Sequence, residues 1–326
     1  MVTLADIQAA RERVRGVAVR TPLVALPNAP RKILLKLESL QPIGSFKLRG
    51  AYNTIASLTP EERSRGVITY SSGNHAQGVA YAARALGVKS VVVMPDNAPQ
   101  IKVKSTRSMG AEIVFVGPAS SERQQRAEEL ARERGYTIIP PYNDERIIAG
   151  QGTLALEVLE DAPDVSAIIA PIGGGGLLSG IAAATKLSRP EVRVFGAEPE
   201  LAADGAESWR TGKLTAWPAE KTSRTLADGL RTQSIGAINF EHLRKFVDGV
   251  LTVPEADIRR AMAFLLHVGK IVAEPSGAVA PAAALWSQQD FGPGPIAVVV
   301  SGGNVEPALL AEVAGAAAEA PAQALV

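Results

Sequence analysis

Short β-branched runs that alternate with longer segments of helical period constrain this chain more than any other feature of its sequence. Parallel strands cannot be joined by a tight turn and need a crossover of a dozen or more residues. The pattern therefore predicts βαβ units and a mostly parallel sheet with flanking helices. Candidate strands are Ile33–Glu38, Val67–Ser71, Ser90–Pro95, Glu112–Val116, Tyr136–Pro140, Ala167–Ile172, Arg193–Glu198, Val250–Val253 and Ile296–Ser301. The stretch from Gly66 to Asn143 holds four of these with three intervening helices, Asn74–Leu86, Gln100–Met109 and Ser121–Arg134, enough to close a small lobe. The chain has 326 residues and is 46% hydrophobic, so material remains for a second core. We expect a two-lobed α/β protein with a discontinuous large domain (residues 1–60 and 144–326), a small domain (61–143) and a ligand crevice between them.

Several function classes drop out early. With 34 basic and 33 acidic residues, the chain has no net field that would draw nucleic acid or an anionic membrane, which leaves a small polar ligand. The absence of cysteine excludes disulfides, thiolate metal sites and cysteine nucleophiles. Met1 to Ala10 lacks the basic and apolar blocks of a signal peptide, and no apolar run is long enough to span a bilayer; a cytoplasmic protein is the expectation. Glu207–Gly229 shows no clear period and reads as a surface excursion, and the Ala-rich stretch 311–326 reads as a flexible tail.

Four short segments carry the chemistry. Gly173-Gly174-Gly175-Gly176 follows an apolar strand and precedes the helical segment Leu177–Lys186. Residues without Cβ let the backbone approach an oxyanion, and the N–H groups at a helix start hold it. The run lacks the Gly-Lys-Ser/Thr ending of a nucleotide loop and the spacing of a dinucleotide fingerprint, so a single phosphate ester suits it; a plain strand-to-helix turn would use the same glycines. Ser45-Phe46-Lys47-Leu48-Arg49-Gly50 enters a helical segment, Ala51–Leu58, from a turn at Pro42 to Gly44. A lysine on a helix is normally solvated, but an amine between Phe46 and Leu48 is partly desolvated, which favours the neutral nucleophile of a Schiff base. Ser71-Ser72-Gly73-Asn74-His75 opens a helix with small hydroxyls and free N–H groups, suited to a carboxylate or to ordinary N-capping. Ser301-Gly302-Gly303-Asn304 ends the last strand.

Together, and in this order, the segments resemble the fold-type-II pyridoxal-phosphate enzymes, which share a tryptophan synthase β-like fold. The match is nearest the threonine/serine dehydratase (ammonia-lyase) and serine racemase branch. The resemblance runs from Thr21-Pro22 through the four segments and Ala149-Gly150-Gln151-Gly152-Thr153. It implies that Lys47 carries pyridoxal 5'-phosphate as a Schiff base and that Phe46 packs on the pyridine ring. By the same resemblance Asn74 bonds the phenolic oxygen, Gly173, Gly174, Gly175 and Gly176 bind the phosphate, and Ser301 faces the pyridine nitrogen. Ser71, Ser72, Gly73, Asn74 and His75 would form the substrate carboxylate site, with His75 in a supporting role. A hydroxyl opposite the pyridine nitrogen does not hold a proton there, which favours loss of a β-leaving group over transamination. The sister branch that makes cysteine carries Thr-Gly after its Asn, where this chain has His75-Ala76, and the regulatory domain of biosynthetic threonine dehydratases is not expected.

The implied activity is conversion of L-threonine or L-serine to 2-oxobutanoate or pyruvate plus ammonia. Serine racemisation follows if Ser72 returns a proton from the face opposite Lys47; Ser72 could instead only bind carboxylate. Similarity to the racemase group also implies a divalent cation (Mg²⁺, Ca²⁺ or Mn²⁺) on Glu198, the Ala202 carbonyl and Asp204. Racemases often have an Asn before Ala-Gly-Gln-Gly, and here Tyr142 or Asn143 takes that place. A 3-hydroxyaspartate dehydratase or aspartate racemase would need a cation for the second carboxylate, for which Arg123 and Arg231 are candidates. The non-enzyme alternative is a silent amino-acid sensor. His242 and His267 read as structural, and the family resemblance suggests a homodimer.

Overall fold

The computed structural model describes residues 1–71, 73–98, 100–117 and 120–316; Ser72 and residues 317–326 lie outside the described residues. Among the described residues, ten strands form two sheets. The larger takes β1 (Leu23–Ala25), β2 (Ile33–Leu37), β7 (Ala167–Pro171), β8 (Arg193–Pro199), β9 (Gly249–Val253) and β10 (Ile296–Val300) in the order β1-β2-β10-β7-β8-β9. The smaller takes β3 (Val67–Tyr70), β4 (Ser90–Pro95), β5 (Glu112–Val116) and β6 (Thr137–Ile138) in the order β5-β4-β3-β6. Every pairing is parallel except that of β1 with β2. This is the mostly parallel α/β fold with flanking helices that the alternation of runs predicts. Among the described residues no helix is long and apolar enough to cross a membrane.

Burial explains the composition of the strands. β4, β7 and β10 are buried along their whole length, so they read as continuous apolar runs rather than as alternating ones. Successive residues still point to opposite faces: Ile169 and Val298 join the core beneath helices Glu255–His267 and Pro275–Trp286, while Ile168 and Ala297 join the core beneath Glu145–Asp161 and Gly176–Ser188.

The strand missed in the sequence is β1, three residues long and half exposed at a sheet edge, too short to show a period. The region from Glu207 to Gly229 is more ordered than a surface excursion. It contains helices Asp204–Thr211 and Ala219–Thr222, and Ser208, Thr222, Thr225 and Ala227 are buried. Its polar composition hid this because the buried hydroxyls are satisfied locally, as when Ser208 Oγ donates to the Asp204 carbonyl at 2.7 Å. Helix Pro307–Gly315 extends into the stretch read as a tail, and Val313 is buried against the larger core.

The helix Lys47–Ala56 stands between the sheets. Its apolar side, Leu48, Ala51 and Ile55, shares a core with Val67 of β3, Val79 and Ile139 on the small-sheet side. Its other side carries Arg49, fully buried, which grips Glu38 with Nε and Nη2 (both 2.8 Å) and Glu157 with Nη1 and Nη2 (2.7 and 2.9 Å). Lys36 Nζ also reaches Glu157, at 2.6 Å, and the Thr21 carbonyl at 2.6 Å. Burial alone would raise the Glu38 pKa, but the Arg49 charge and hydrogen bonds, with Lys36 and Thr21, hold it below the usual range. Two cations and two carboxylates thus neutralise one another in the interior and tie the helix to β2 and to Glu145–Asp161. Such a group is costly to break, because each member depends on the others for compensation. Arg49→Met should lower the unfolding free energy in urea by about 3–5 kcal/mol, whereas a loss under about 1 kcal/mol would mean that the network contributes little.

Candidate active site

Lys47 is the first residue of its helix, and the preceding turn is fixed by the far end of the chain. Ser45 bridges Gly302, the Phe46 N–H donates to the Ser301 carbonyl at 3.1 Å, and the Gly303 N–H donates to the Gly44 carbonyl at 2.9 Å. Gly44 is obligatory here: its φ is +73° and a Cβ would overlap the Asn304 side chain. These contacts bring the Lys47 and Ser301 segments together across more than 250 residues of sequence. Helix Asn74–Ala85 packs on the same point, since a Cβ at Gly78 would lie only 3.2 Å from the Lys47 carbonyl oxygen.

The part-buried Lys47 side chain donates to the Pro141 carbonyl at 2.8 Å, with its amine 5.2 Å from the centre of the Phe46 ring. Burial pushes its pKa down to about 8, so a useful fraction of the amine is neutral near physiological pH. His75 is buried with Nε2 3.0 Å from the Ile139 carbonyl, and burial, followed by the Lys47 charge, pushes its pKa down to about 3. It is therefore neutral across the working range and turned toward the small sheet. Ser71 Oγ accepts from the Gly73 N–H at 3.2 Å. Asn74 Nδ2 donates to Glu274 Oε1 at 2.7 Å, and its Oδ1 accepts from Asn304 Nδ2 at 2.8 Å. Ser301 Oγ is buried, with one long bond of 3.4 Å to the Ser276 carbonyl. Ser72 belongs to this segment by sequence but lies outside the described residues.

The four consecutive glycines are buried and lead into helix Gly176–Ser188, but they are not interchangeable. Gly173 and Gly175 adopt φ of +53° and +91°, which side chains disfavour. Gly174 lacks a side chain for a different reason, because a Cβ there would overlap the ring of Tyr142. Tyr142 also lies against Gly176, and burial raises its phenol pKa, with Tyr70 and Asp204 contributing. The glycine-lined helix start and the buried amine are linked through Tyr142, whose ring lies on the glycines one residue after the Pro141 carbonyl that Lys47 bonds, an arrangement suited to a phosphorylated aldehyde.

A second cluster lies at the end of β8. Glu198 and Asp204 are fully buried, and Glu198 Oε1 and both carboxylate oxygens of Asp204 lack hydrogen-bond partners. Glu198 Oε2 does accept from the Ala206 N–H at 2.7 Å, while the amides of Asp204 itself and of Ile235, too poorly placed to bond it, offset the burial of Asp204 only in part. Burial, and then the Asp204 charge, raises Glu198 well above the usual range; burial raises Asp204 to about 7. Ala202 ends the turn Glu200–Ala202 between them. Among the described residues no group of three or more His, Cys, Asp or Glu side chains gathers, so any ion here would rely on two carboxylates and a carbonyl.

Arg231 Nε and Nη2 donate to the Thr225 carbonyl at 3.0 and 2.7 Å, and Arg123 sits on helix Ser120–Arg134, its pKa lowered by burial. His242 accepts from the Val2 N–H at 3.1 Å and donates to the Ile238 carbonyl at 2.7 Å, a structural arrangement. Glu274 is the site residue that sequence reasoning missed. A lone acidic residue before Pro275, opening a helix of almost unbroken apolar sequence, was the signal available.

A parallel α/β frame that brings a desolvated lysine toward a glycine-rich helix start is the arrangement of a pyridoxal-phosphate enzyme. The chain belongs to the pyridoxal-phosphate dependent enzyme family, whose model matches residues 14–302. It is 43% identical to an L-threonine ammonia-lyase of Thermotoga maritima, over 94% of this chain and 76% of the relative. It is also 39% identical to an L-threo-3-hydroxyaspartate ammonia-lyase of Saccharomyces cerevisiae, over 93% of this chain and 94% of that one. The structure of maize serine racemase superposes with a TM-score of 0.91 at 37% identity, covering 95% of this chain and 96% of that one.

The packing of Tyr142 on the glycines makes a prediction about stability alone. Gly174→Ala should cost about 1–3 kcal/mol through overpacking. Adding Tyr142→Ala to that variant should cost much less than the sum of the two single changes, in a double-mutant cycle read by denaturation. Additive costs would show that the ring is not the obstacle.

Proposed function

We propose that the chain is an ammonia-lyase that converts L-threonine and L-serine to 2-oxobutanoate and pyruvate with release of ammonia, and that serine racemisation is a second output of the same site. The observation that carries this reading is the placement of Lys47 at the start of its helix, with Nζ 2.8 Å from the Pro141 carbonyl and thus one residue from Tyr142, whose ring lies on the glycines. The residues present fit the cofactor. Lys47 would hold its aldehyde carbon, Phe46 would pack on its ring, Gly173 to Gly176 would take its phosphate, Asn74 its phenolic oxygen and Ser301 its ring nitrogen. Once bound, pyridoxal 5'-phosphate supplies an electron sink for the pair left when the substrate Cα–H bond breaks.

The chain's own groups do the rest. The substrate carboxylate would be held by the N–H groups and hydroxyls that open helix Asn74–Ala85. The Lys47 amine, released when the substrate amine takes its place, would remove the proton from Cα. Loss of the β-hydroxyl as water and hydrolysis of the product give the keto acid and ammonia. Ser72 is the residue we assign to return a proton on the opposite face. Neutral His75 supports the segment and keeps a second positive charge away from Lys47. The similarity to hydroxyaspartate ammonia-lyase keeps a dicarboxylic substrate as the second reading, with Arg123 on helix Ser120–Arg134 and Arg231 as the candidate cations. A homodimer and a cytoplasmic location complete the proposal.

We further propose a divalent oxygen-seeking cation on Glu198, Asp204 and the Ala202 carbonyl. Buried carboxylate oxygens without partners support it, since a hard cation would satisfy them. Without an ion, the folded protein holds protons on these groups that the unfolded chain has already released. Stability should therefore fall as pH rises from the unfolded carboxylate range through about 7. Millimolar Mg²⁺, Ca²⁺ or Mn²⁺ should raise the melting temperature by several degrees at about pH 8, and by much less near pH 5. An equal response in Asp204→Asn would refute the site.

The catalytic proposal is tested by following keto acid and D-isomer together with threonine, serine and 3-hydroxyaspartate. Turnover of threonine or serine is expected, and Lys47→Ala should lower it by at least about a thousandfold. No keto acid from any of the three would remove the lyase reading, and no turnover at all would favour a sensor. Ser72→Ala should suppress D-serine far more than pyruvate; equal losses would reject the second-face role.

A further inference from the structure

Glu274 is a buried carboxylate that the chemistry above does not use. It stands at the position before helix Pro275–Trp286 without a side-chain bond to the helix, and its N–H donates to the Gly302 carbonyl at 3.1 Å, next to Ser301. Gly302 lacks a side chain at the point where a Cβ would overlap Glu274 Oε1. The carboxylate has thus been given room in the wall of the Lys47 site, although burying it is costly. Its Oε1 accepts from Asn74 Nδ2 at 2.7 Å.

The polarity of the bonds around Asn74 follows from their two ends. The Ile43 carbonyl can only accept, so the Asn304 group 2.8 Å from it is the Nδ2 donor. The same nitrogen faces Asn74 at 2.8 Å and must meet an oxygen there, which turns the Asn74 Nδ2 toward Glu274. A carboxylate at the other end completes the ordering, because it too can only accept when ionised. Asn74 Nδ2 gives one hydrogen to Glu274 and keeps one for a ligand. What Asn74 can offer is therefore a donor, the group a phenolate oxygen requires.

We propose that Glu274 is a positioning residue: as the acceptor at the end of the Ile43–Asn304–Asn74 relay, it fixes the Asn74 amide so that an N–H faces the phenolic oxygen of the cofactor. The proposal rests on the reading that Asn74 contacts that oxygen. Charge on Glu274 strengthens the hold, and its loss weakens it, so the relay is sensitive to pH. Burial first, then the charge of Asp228, raises the Glu274 pKa to about 7, while the Asn74 bond, Lys102 and the Asn304 amide lower it. Lys102 of helix Gln100–Ser108 is itself paired with Asp228, at 2.9 Å. These two exposed or part-exposed charges therefore push Glu274 in opposite directions.

The test uses the holoenzyme without substrate, recording the absorbance of the Lys47-linked cofactor from about pH 5.5 to 9 around the midpoint expected for Glu274. Wild type should show a spectral component titrating near 7 that is absent in Glu274→Gln. Asp228→Asn should move its midpoint to lower pH and Lys102→Met to higher pH. In Glu274→Gln, kcat per mole of bound cofactor should fall about tenfold with KM changed less than about threefold. An unchanged titration in Glu274→Gln overturns the proposal. Should that variant fail to fold, midpoints that do not move in the Asp228 and Lys102 variants overturn it equally. Borohydride reduction that leaves no cofactor on Lys47 in wild type overturns the underlying cofactor reading, and this proposal with it.

Discussion

Everything near Lys47 depends on residues 44–46 being held against residues 301–303. Two backbone hydrogen bonds, which together make one antiparallel bridge of Ser45 with Gly302, form that junction, and they work because Gly44 and Gly302 leave room for Asn304 and Glu274. Alone they would be weak, since a backbone hydrogen bond contributes only about 1 kcal/mol net. The buried charges behind them supply the rigidity. Arg49, two residues beyond Lys47, is clamped between Glu38 at the end of β2 and Glu157 on a long helix. The helix carrying the lysine therefore cannot rotate without uncovering ions in the interior. The amine is aimed by interactions that never touch it.

Those same constraints decide what could be seen in the sequence. Strands β4 and β5 match their expected limits, because Ser90–Pro95 and Glu112–Val116 are bounded by clear turn and helix signals. The glycine run, the Lys47 segment and the Ser301 segment were each visible as local patterns, and their joint order made the family legible. What stayed hidden was long-range. Nothing around Glu274 announces that it meets Asn74, 200 residues earlier, and Arg49 looks like a solvated helix residue until Glu38 and Glu157 are placed beside it. Periodicity reports which face of an element is buried, not which buried polar groups will find one another.

The glycines illustrate how one residue type answers different demands. At Gly173 and Gly175 the requirement is on the backbone, whose positive φ turns the chain into the next helix. At Gly174 the requirement is on space, because the Tyr142 ring lies where a side chain would begin. A reading of the run as phosphate-binding backbone explains the first pair more directly than the third residue. The aromatic ring closes one side of the loop and helps exclude water from it, so the loop and Tyr142 are better regarded as one unit.

A single electrostatic trend runs through the interior. Burial lowers Lys47 to about 8 and His75 to about 3, and raises Glu274 to about 7. Each group is pushed toward its neutral form, as expected where water has been displaced and few countercharges replace it. Such an environment would reject a dianionic phosphate unless fixed dipoles received it, which is what N–H groups at the start of helix Gly176–Ser188 provide. It also favours the unprotonated lysine that must attack an aldehyde and later accept a proton from carbon. The contrast with the Arg49 network is instructive. Its charges persist because they are fully paired, whereas Lys47 and Glu274 are left with few charged partners and so remain near the point at which a proton can be exchanged.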